Sequence, residues 1–317
     1  MILFLKTIWK KLNLPCSKRL KAAIPLWLPY YEKHYGKITE KTKRLLNSIS
    51  DRTIDRILSK FRNRFRKKGL CTTKPGSILK KRIKVKTIQW NERIPGYLEC
   101  DTVAHCGGSV GGIFVYTLDI VDIATQWTIQ RALLGKRDIG VLNAFKNVLL
   151  TLPFKILGID TDNGSEFINY ALYYFFTKRK MPIQFTRSRE YQKNDNAHVE
   201  SKNWSIVRQH LGYQRFENPK IVDLLNDLYS NEFYYYHNFF VPCFKMDSKI
   251  RDGAKIIKTY KTPITPYQRI IESEHITNYK KKQLERIFRQ LDPIDLQFNI
   301  QIKINHILEL AQPFQNK

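Results

Sequence analysis

Three acidic side chains stand where a carboxylate would do chemistry. Asp101 lies within the largely apolar run Gly96-Tyr97-Leu98-Glu99-Cys100-Asp101-Thr102-Val103. A carboxylate in such a strand is costly to bury unless it is paired or holds a metal. Asp162 follows the apolar stretch Ile156-Leu157-Gly158-Ile159, in Thr161-Asp162-Asn163-Gly164-Ser165-Glu166-Phe167. That position, just past the C-terminal end of a sheet strand, is where α/β proteins bind ligands. Glu200 falls on a helical pattern in Asn194-Asp195-Asn196-Ala197-His198-Val199-Glu200-Ser201-Lys202-Asn203. Converging acids of this kind suit phosphodiester chemistry. Two Mg²⁺ ions (or Mn²⁺) roughly 3.5–4 Å apart clamp the attacking and leaving oxygens and acidify the nucleophile. Three carboxylates suffice for such a pair if one bridges, since Mg²⁺ keeps water and phosphate among its ligands. Taken singly, each acid reads as a helix cap or a surface ion pair.

Neighbouring groups compete for the same roles. Asp160 lies two residues before Asp162, either behind it or as a replacement ligand. Asp119 and Asp122 belong to a second strand and the turn after it, and His105 and His198 read as structural. Asn163 and Gly164 suit a tight turn that holds Asp162.

The elements that must position these acids follow from hydrophobic pattern. Strands are expected over 96–103, 111–122 and 127–133, then a helix from Asp138 to Leu150 that stops before Pro153. A buried-type strand over 154–159, a helix over 166–176, a strand over 182–186 and a helix over 197–211 complete the set. Three consecutive strands followed by alternating helices and strands imply an α/β fold with a mixed sheet.

Around this core the pattern is helical and basic. Residues 1–35 carry Pro15, Pro25 and Pro29 and read as short helices or a helix end. Helices over 38–46 and from Ser50, its N-cap, flank a short turn. Arg52, Arg56 and Lys60 fall on the polar side of the second helix, as in a helix-turn-helix or an ordinary helical hairpin. From Lys60 to Lys86 the chain has twelve Lys or Arg and no acid, including Lys80, Lys81 and Arg82. A run like this is a solvated face or a linker that tracks phosphates. Lys202 and Arg208, beyond Glu200 on its helix, read as DNA contacts or a solvated face. The aromatic cluster 233–240 reads as core rather than a base-stacking platform. Residues 245–267 are basic, and 268–317 carry apolar positions at helical spacing. The expected organisation is a helical region over 1–65, a basic linker over 66–94, the α/β core over 95–215 and a C-terminal region over 216–317.

Composition narrows the partners. Fifty-five Lys and Arg against 28 Asp and Glu give the 317 residues a formal net charge of +27. Such an excess favours a polyanion, with nucleic acid ahead of an anionic membrane surface. A compositional bias toward Lys would scatter the charge evenly, whereas here it clusters. Cys16, Cys71, Cys100, Cys106 and Cys243 show neither zinc spacing nor a disulfide framework. No stretch approaches the roughly 20 apolar residues of a membrane span, and Lys6 interrupts the opening apolar run. A cytoplasmic, nucleoid-associated location is expected.

The segments around Cys100-Asp101-Thr102, Thr161-Asp162-Asn163-Gly164-Ser165-Glu166-Phe167 and Ala197-His198-Val199-Glu200 resemble the three signatures of the DDE transposase and retroviral-type integrase superfamily. Thirty-seven residues separate Asp162 from Glu200, slightly more than is usual there. The resemblance covers about residues 95–210. It implies a ribonuclease-H-like fold, Asp101, Asp162 and Glu200 as catalytic metal ligands, and cleavage and strand transfer of double-stranded DNA by a homo-oligomer. Outside the core, Thr53-Ile54-Asp55-Arg56, Thr73-Lys74-Pro75-Gly76-Ser77 and Thr262-Pro263-Ile264-Thr265-Pro266-Tyr267 are similar to bacterial insertion-sequence integrases. The chain departs from the retroviral plan in having no His/Cys zinc module ahead of the core. The insertion-sequence proteins often have a further helical module before the point where this chain begins, so a truncated copy is one expectation. A same-fold nuclease without strand transfer, and a DNA-binding regulator or inactive relic, are the rival readings.

Overall fold

The computed structural model describes residues 1–61, 83–85, 92–188, 196–252 and 255–311. The opening segment forms α1 (Ile2–Lys11) and α2 (Ser17–Tyr35). Pro25 and Pro29 lie inside α2, against the expectation of short helices. Their spacing explains this: the amide that Pro29 lacks would have bonded the carbonyl of Pro25, four residues back, so both defects fall on one side of the helix. Leu20, Ala23, Ile24, Trp27 and Tyr31 bury the apolar side of α2. Next come α3 (Glu40–Ser48) and α4 (Asp51–Ser59), whose N-caps Thr39 and Ser50 accept from the amides three residues on.

The α/β core is a mixed sheet. β2 (Tyr97–Ala104), β3 (Val115–Asp122) and β4 (Thr128–Leu134) form an antiparallel meander. After α5 (Asp138–Thr151), β5 (Gly158–Thr161) pairs parallel to β2. After α6 (Tyr170–Thr177), β6 (Gln184–Arg187) pairs parallel to β5. The two-residue β1 (Lys84–Val85) extends that side, giving the order β1-β6-β5-β2-β3-β4. Three antiparallel strands with two parallel ones added beside the first make this the ribonuclease-H-like arrangement. β3 starts four residues later than expected and β5 is shorter.

Alternate residues on a strand point to opposite faces. On one face Phe185 packs on Phe176 of α6, which meets Phe145 of α5. The other face sets Glu99, Asp101, Thr117, Asp119, Thr128 and Gln130 among Val103, Val121 and Ala132, a high polar share for a covered sheet. It is covered by α7 (Ala197–Lys202) and a π-helical stretch (Asn203–Arg208), which runs on into α8 (Gln209–Leu211). Next along the chain come α9 (Lys220–Leu228) and π-helical segments Tyr229–Phe233 and Tyr236–Phe240. The aromatic cluster is core, as expected: Phe233, Tyr236, Phe239 and Phe240 are buried.

Two asparagines finish the sheet at β4. Asn226 accepts from the Ala132 amide and donates to its carbonyl, at 2.9 and 3.1 Å. Asn238 does the same at Thr128, at 2.9 and 2.8 Å. Among the described residues no strand lies beyond β4, and a side-chain amide takes a strand's place there twice, four residues apart.

The basic stretch after residue 245 forms a hairpin, β7 (Met246–Asp252) and β8 (Lys255–Tyr260), which pattern did not reveal. The chain ends in α10 (Pro266–Glu272), α11 (Asn278–Gln290) and α12 (Pro293–Leu310). α12 packs on α2 and α9, and Trp27 Nε1 donates to the Phe240 carbonyl at 3.0 Å. One apolar core runs from Phe4 to Ile307, so the N-terminal and C-terminal regions share packing. No helix of the described residues is long and apolar enough to cross a membrane.

Candidate active site

Register brings the two aspartates side by side. Cys100 of β2 pairs with Thr161 of β5, so the next positions on these parallel strands are Asp101 and Asp162. Each is held by local geometry. Asp101 Oδ1 accepts from the Thr102 amide and Oδ2 from Asn203 Nδ2, both at 2.7 Å. Asp162 Oδ1 accepts from the Gly164 amide at 2.9 Å, the tight turn expected of Asn163-Gly164. A Cβ on Gly164 would lie 2.9 Å from Asp162 Oδ1 and 2.6 Å from Glu166 Oε2, so a larger residue would collide with both carboxylates.

Glu166 is the residue that sequence reading passed over. It is buried, accepts from Thr102 Oγ1 at 2.9 Å and forms an ion pair with Lys136. Removal from water pushes Asp162 up to about 7, with the charges of Asp101 and Glu166 adding to the effect and Lys136 offsetting part of it. Asp101 is pushed up to about 6, first by burial, then by Glu166 and by Asp119, its cross-strand neighbour. Carboxylates that resist ionisation together are a hard, oxygen-only donor set, which fits Mg²⁺ or Mn²⁺. The signal for Glu166 lay in the motif, four residues past Asp162.

Glu200 is exposed on α7. The triad Asp101, Asp162 and Glu200 is not drawn into one group with ligand atoms within 4.8 Å of one another. What joins its helix to the aspartates is Asn203, three residues on and so on a neighbouring part of the same face. Asn203 also opens the π-helical stretch, and such widened turns recur at functional sites. A second tie comes from Glu99, buried on β2, whose Oε2 accepts from the amides of His198 and Val199 at 2.9 and 3.1 Å. Glu99 sits two residues before Asp101 and shares its face, a spacing visible in the sequence. The partner helix, about a hundred residues away, was not.

Among the described residues, His34, Asp292 and Asp295 do bring ligand atoms within 4.8 Å of one another. Lys33 and His34 already contact Asp292 there, each at 2.9 Å, so this is an ion-paired clasp between α2 and α12.

The other candidates separate cleanly. Asp160 is buried and accepts from Thr186 Oγ1. Asp122 caps its turn, accepting from the Gly96 and Thr125 amides at 2.7 Å. His105 bonds Thr117 Oγ1 at 2.8 Å and stacks on Phe216, a structural role. His198 meets Gln126 Nε2 at 3.0 Å, and burial lowers it to about 3. Of the expected DNA contacts, Arg52, Arg56 and Lys60 are exposed along α4 and just past its end. Lys202 is corrected: it is buried at 8% exposure, and burial lowers its pKa, so its ammonium is not on the surface. Arg208 is likewise engaged inward, donating to the Ala104 carbonyl at 2.7 Å. Lys80, Lys81 and Arg82 lie outside the described residues.

No family model matches the chain. Among solved structures it is similar to the HTLV-2 integrase catalytic core domain in complex with magnesium, at 19% identity over 47% of this chain and 91% of that one, with a TM-score of 0.35. It is similar also to the catalytic core domain of BIV integrase, at 13% identity over 57% of this chain and 96% of that one, again with a TM-score of 0.35. Among known proteins it is 38% identical over 275 residues to the uncharacterized protein y4rM of Sinorhizobium fredii (strain NBRC 101917 / NGR234), a match covering 84% of this chain and 75% of that one. With that identity and coverage, the chain belongs to the family of y4rM.

Proposed function

We propose that the chain is a metal-dependent DNA transposase or integrase, a polynucleotidyl transferase that cuts the ends of a mobile element and joins them to target DNA. The observation that carries this reading is the register of two parallel strands, which sets Asp101 and Asp162 each one position beyond the paired Cys100 and Thr161, beside a helix that bears Glu200. Asp101, Asp162 and Glu200 would hold two Mg²⁺ or Mn²⁺ ions, which acidify the attacking water or 3′-hydroxyl and offset charge on the leaving oxygen. Asn203 and the Gly164 amide fix the aspartates, whose oxygens keep further lone pairs for ligation. Glu166, tied to Thr102 and Lys136, adds its charge to that of Asp101 beside the buried Asp162. α3 and α4 would dock on duplex DNA as a helix-turn-helix through Arg52, Arg56 and Lys60, and two copies would synapse the two ends. The protein would act in the cytoplasm, at the nucleoid.

Nicking of supercoiled plasmid, followed by transfer of a labelled 3′-OH end, tests the proposal. Activity should require Mg²⁺ or Mn²⁺ and be lost in Asp162→Asn. Equal nicking without divalent metal, or full activity in Asp162→Asn, overturns it. Nicking without transfer leaves a nuclease. One observation favours a second reading, a DNA-binding regulator: Glu200 stands exposed rather than tucked against the aspartates. In that case the wild type binds DNA and never nicks it.

A further inference from the structure

A cavity of about 910 Å³ opens beside α7, walled by α2 on one side and the β7–β8 hairpin on the other. Its charge is one-sided. Lys18 and Lys21, three apart on α2, and Lys258 and Lys261 of the hairpin side all border it and are exposed, against the single acid Asp51. Lys261 has Asp247 at 3.9 Å, an exposed pair that contributes little. Aromatic surface interleaves with these cations. Tyr260 is 51% exposed and lies two residues from Lys258, hence on the same face of β8. Phe244 meets it edge to face at 5.7 Å, bracing the ring. A half-exposed tyrosine held by a second ring, within a rim of lysines, has the two components of single-strand recognition: charge for the backbone and a π-face for bases.

We propose that this groove holds one DNA strand, its phosphates on Lys18, Lys21, Lys258 and Lys261 and a base stacked on Tyr260. The inference rests on the DNA-processing reading and extends it. Ala197, His198 and Ser201 of α7 line the same cavity, so the strand would run alongside the helix that carries Glu200. Asp51 at the start of α4 lines it as well, so the groove adjoins both the expected duplex-docking helix and the helix that carries Glu200. A strand separated from its complement at a DNA end fits there. An intact duplex offers the lysines its phosphates but keeps its base faces stacked away from Tyr260.

The test is fluorescence anisotropy with a labelled single-stranded oligonucleotide and a duplex of the same sequence, in EDTA and at several salt concentrations. Tyr260→Ala should weaken single-strand binding about 5- to 150-fold, the range for loss of one stacked base, and leave duplex binding within two-fold. Tyr260→Phe should restore it. Lys258→Ala with Lys261→Ala should reduce the single-strand salt slope by about 1.4, roughly 0.7 for each phosphate no longer neutralised. Unchanged single-strand binding in Tyr260→Ala, or an equal loss on duplex, overturns the proposal. Because no metal or cleavage is involved, intact groove binding without nicking counts only against the catalytic reading. Nicking that survives with Tyr260-independent binding counts only against the groove.

Discussion

Replacing Glu99 by alanine probes how the two halves of the candidate site are held together. Glu99 is fully buried, and its Oε2 is the acceptor for two amides at the start of α7. Alanine removes that acceptor while strand and helix stay packed too closely for bulk water. Each donor left without a partner costs about 1–3 kcal/mol, so the pair should cost about 2–4 kcal/mol after partial relaxation. A domain stable by about 5–15 kcal/mol remains folded after such a loss. Glutamine is the informative control. Its carbonyl oxygen can accept both amides, and it removes a carboxyl whose pKa is pushed well up, first by burial and then by the charge of Asp160. Glu99→Gln should therefore match or exceed the wild type in stability. Urea denaturation gives the stability difference, and plasmid nicking at saturating Mg²⁺ reports on Glu200, one residue beyond the anchored amides. We expect Glu99→Ala to lose stability and nicking together and Glu99→Gln to recover both. A loss below about 0.5 kcal/mol in the alanine variant, or equal damage from glutamine, would refute the anchoring argument.

Two further outcomes follow from burial. Arg52→Ala with Arg56→Ala should lower the salt slope of duplex binding by about 1.8, whereas Lys202→Met, which touches no surface, should leave that slope unchanged. Anisotropy titrations across salt concentrations decide between them. His237 is buried, and burial, with His210 and Lys202 adding, holds its pKa well below the ordinary histidine value. A depressed histidine adds stability above its unfolded pKa of about 6.5 that is lost as pH falls toward the folded value. His237→Phe should flatten the stability–pH slope below about pH 6.5, measured by urea midpoints at neutral and mildly acidic pH. An identical slope in both proteins would count against it.

Much of the sheet that positions the candidate site was legible because strands declare themselves locally. Apolar runs marked β2 to β6, and two acids drew notice against them, Asp101 by interrupting one and Asp162 by standing just past the end of another. What escaped notice depends on partners distant in sequence. Glu99 looked like one more acid until the start of α7 was set against it. Lys202 looked like a surface cation because a helix read alone does not say which side meets the sheet. The β7–β8 hairpin was hidden for another reason. With Ile250, Ile257 and Tyr260 exposed and lysines between them, these strands lack the apolar alternation by which strands are recognised. Proline was misleading in α2, where two residues four apart break one line of hydrogen bonds and leave the rest of the helix intact.

The asparagine pair at β4 limits how copies of this chain can meet. An open sheet margin invites a twin to add its own strand, the easiest route to both dimers and aggregates. With Asn226 and Asn238 already seated on Ala132 and Thr128, a newcomer would have to displace two amides that each make a donor and an acceptor bond. Assembly through the β4 margin is thereby disfavoured, which leaves helical surfaces, the opposite margin at β1 or a bound polyanion to join one copy to another.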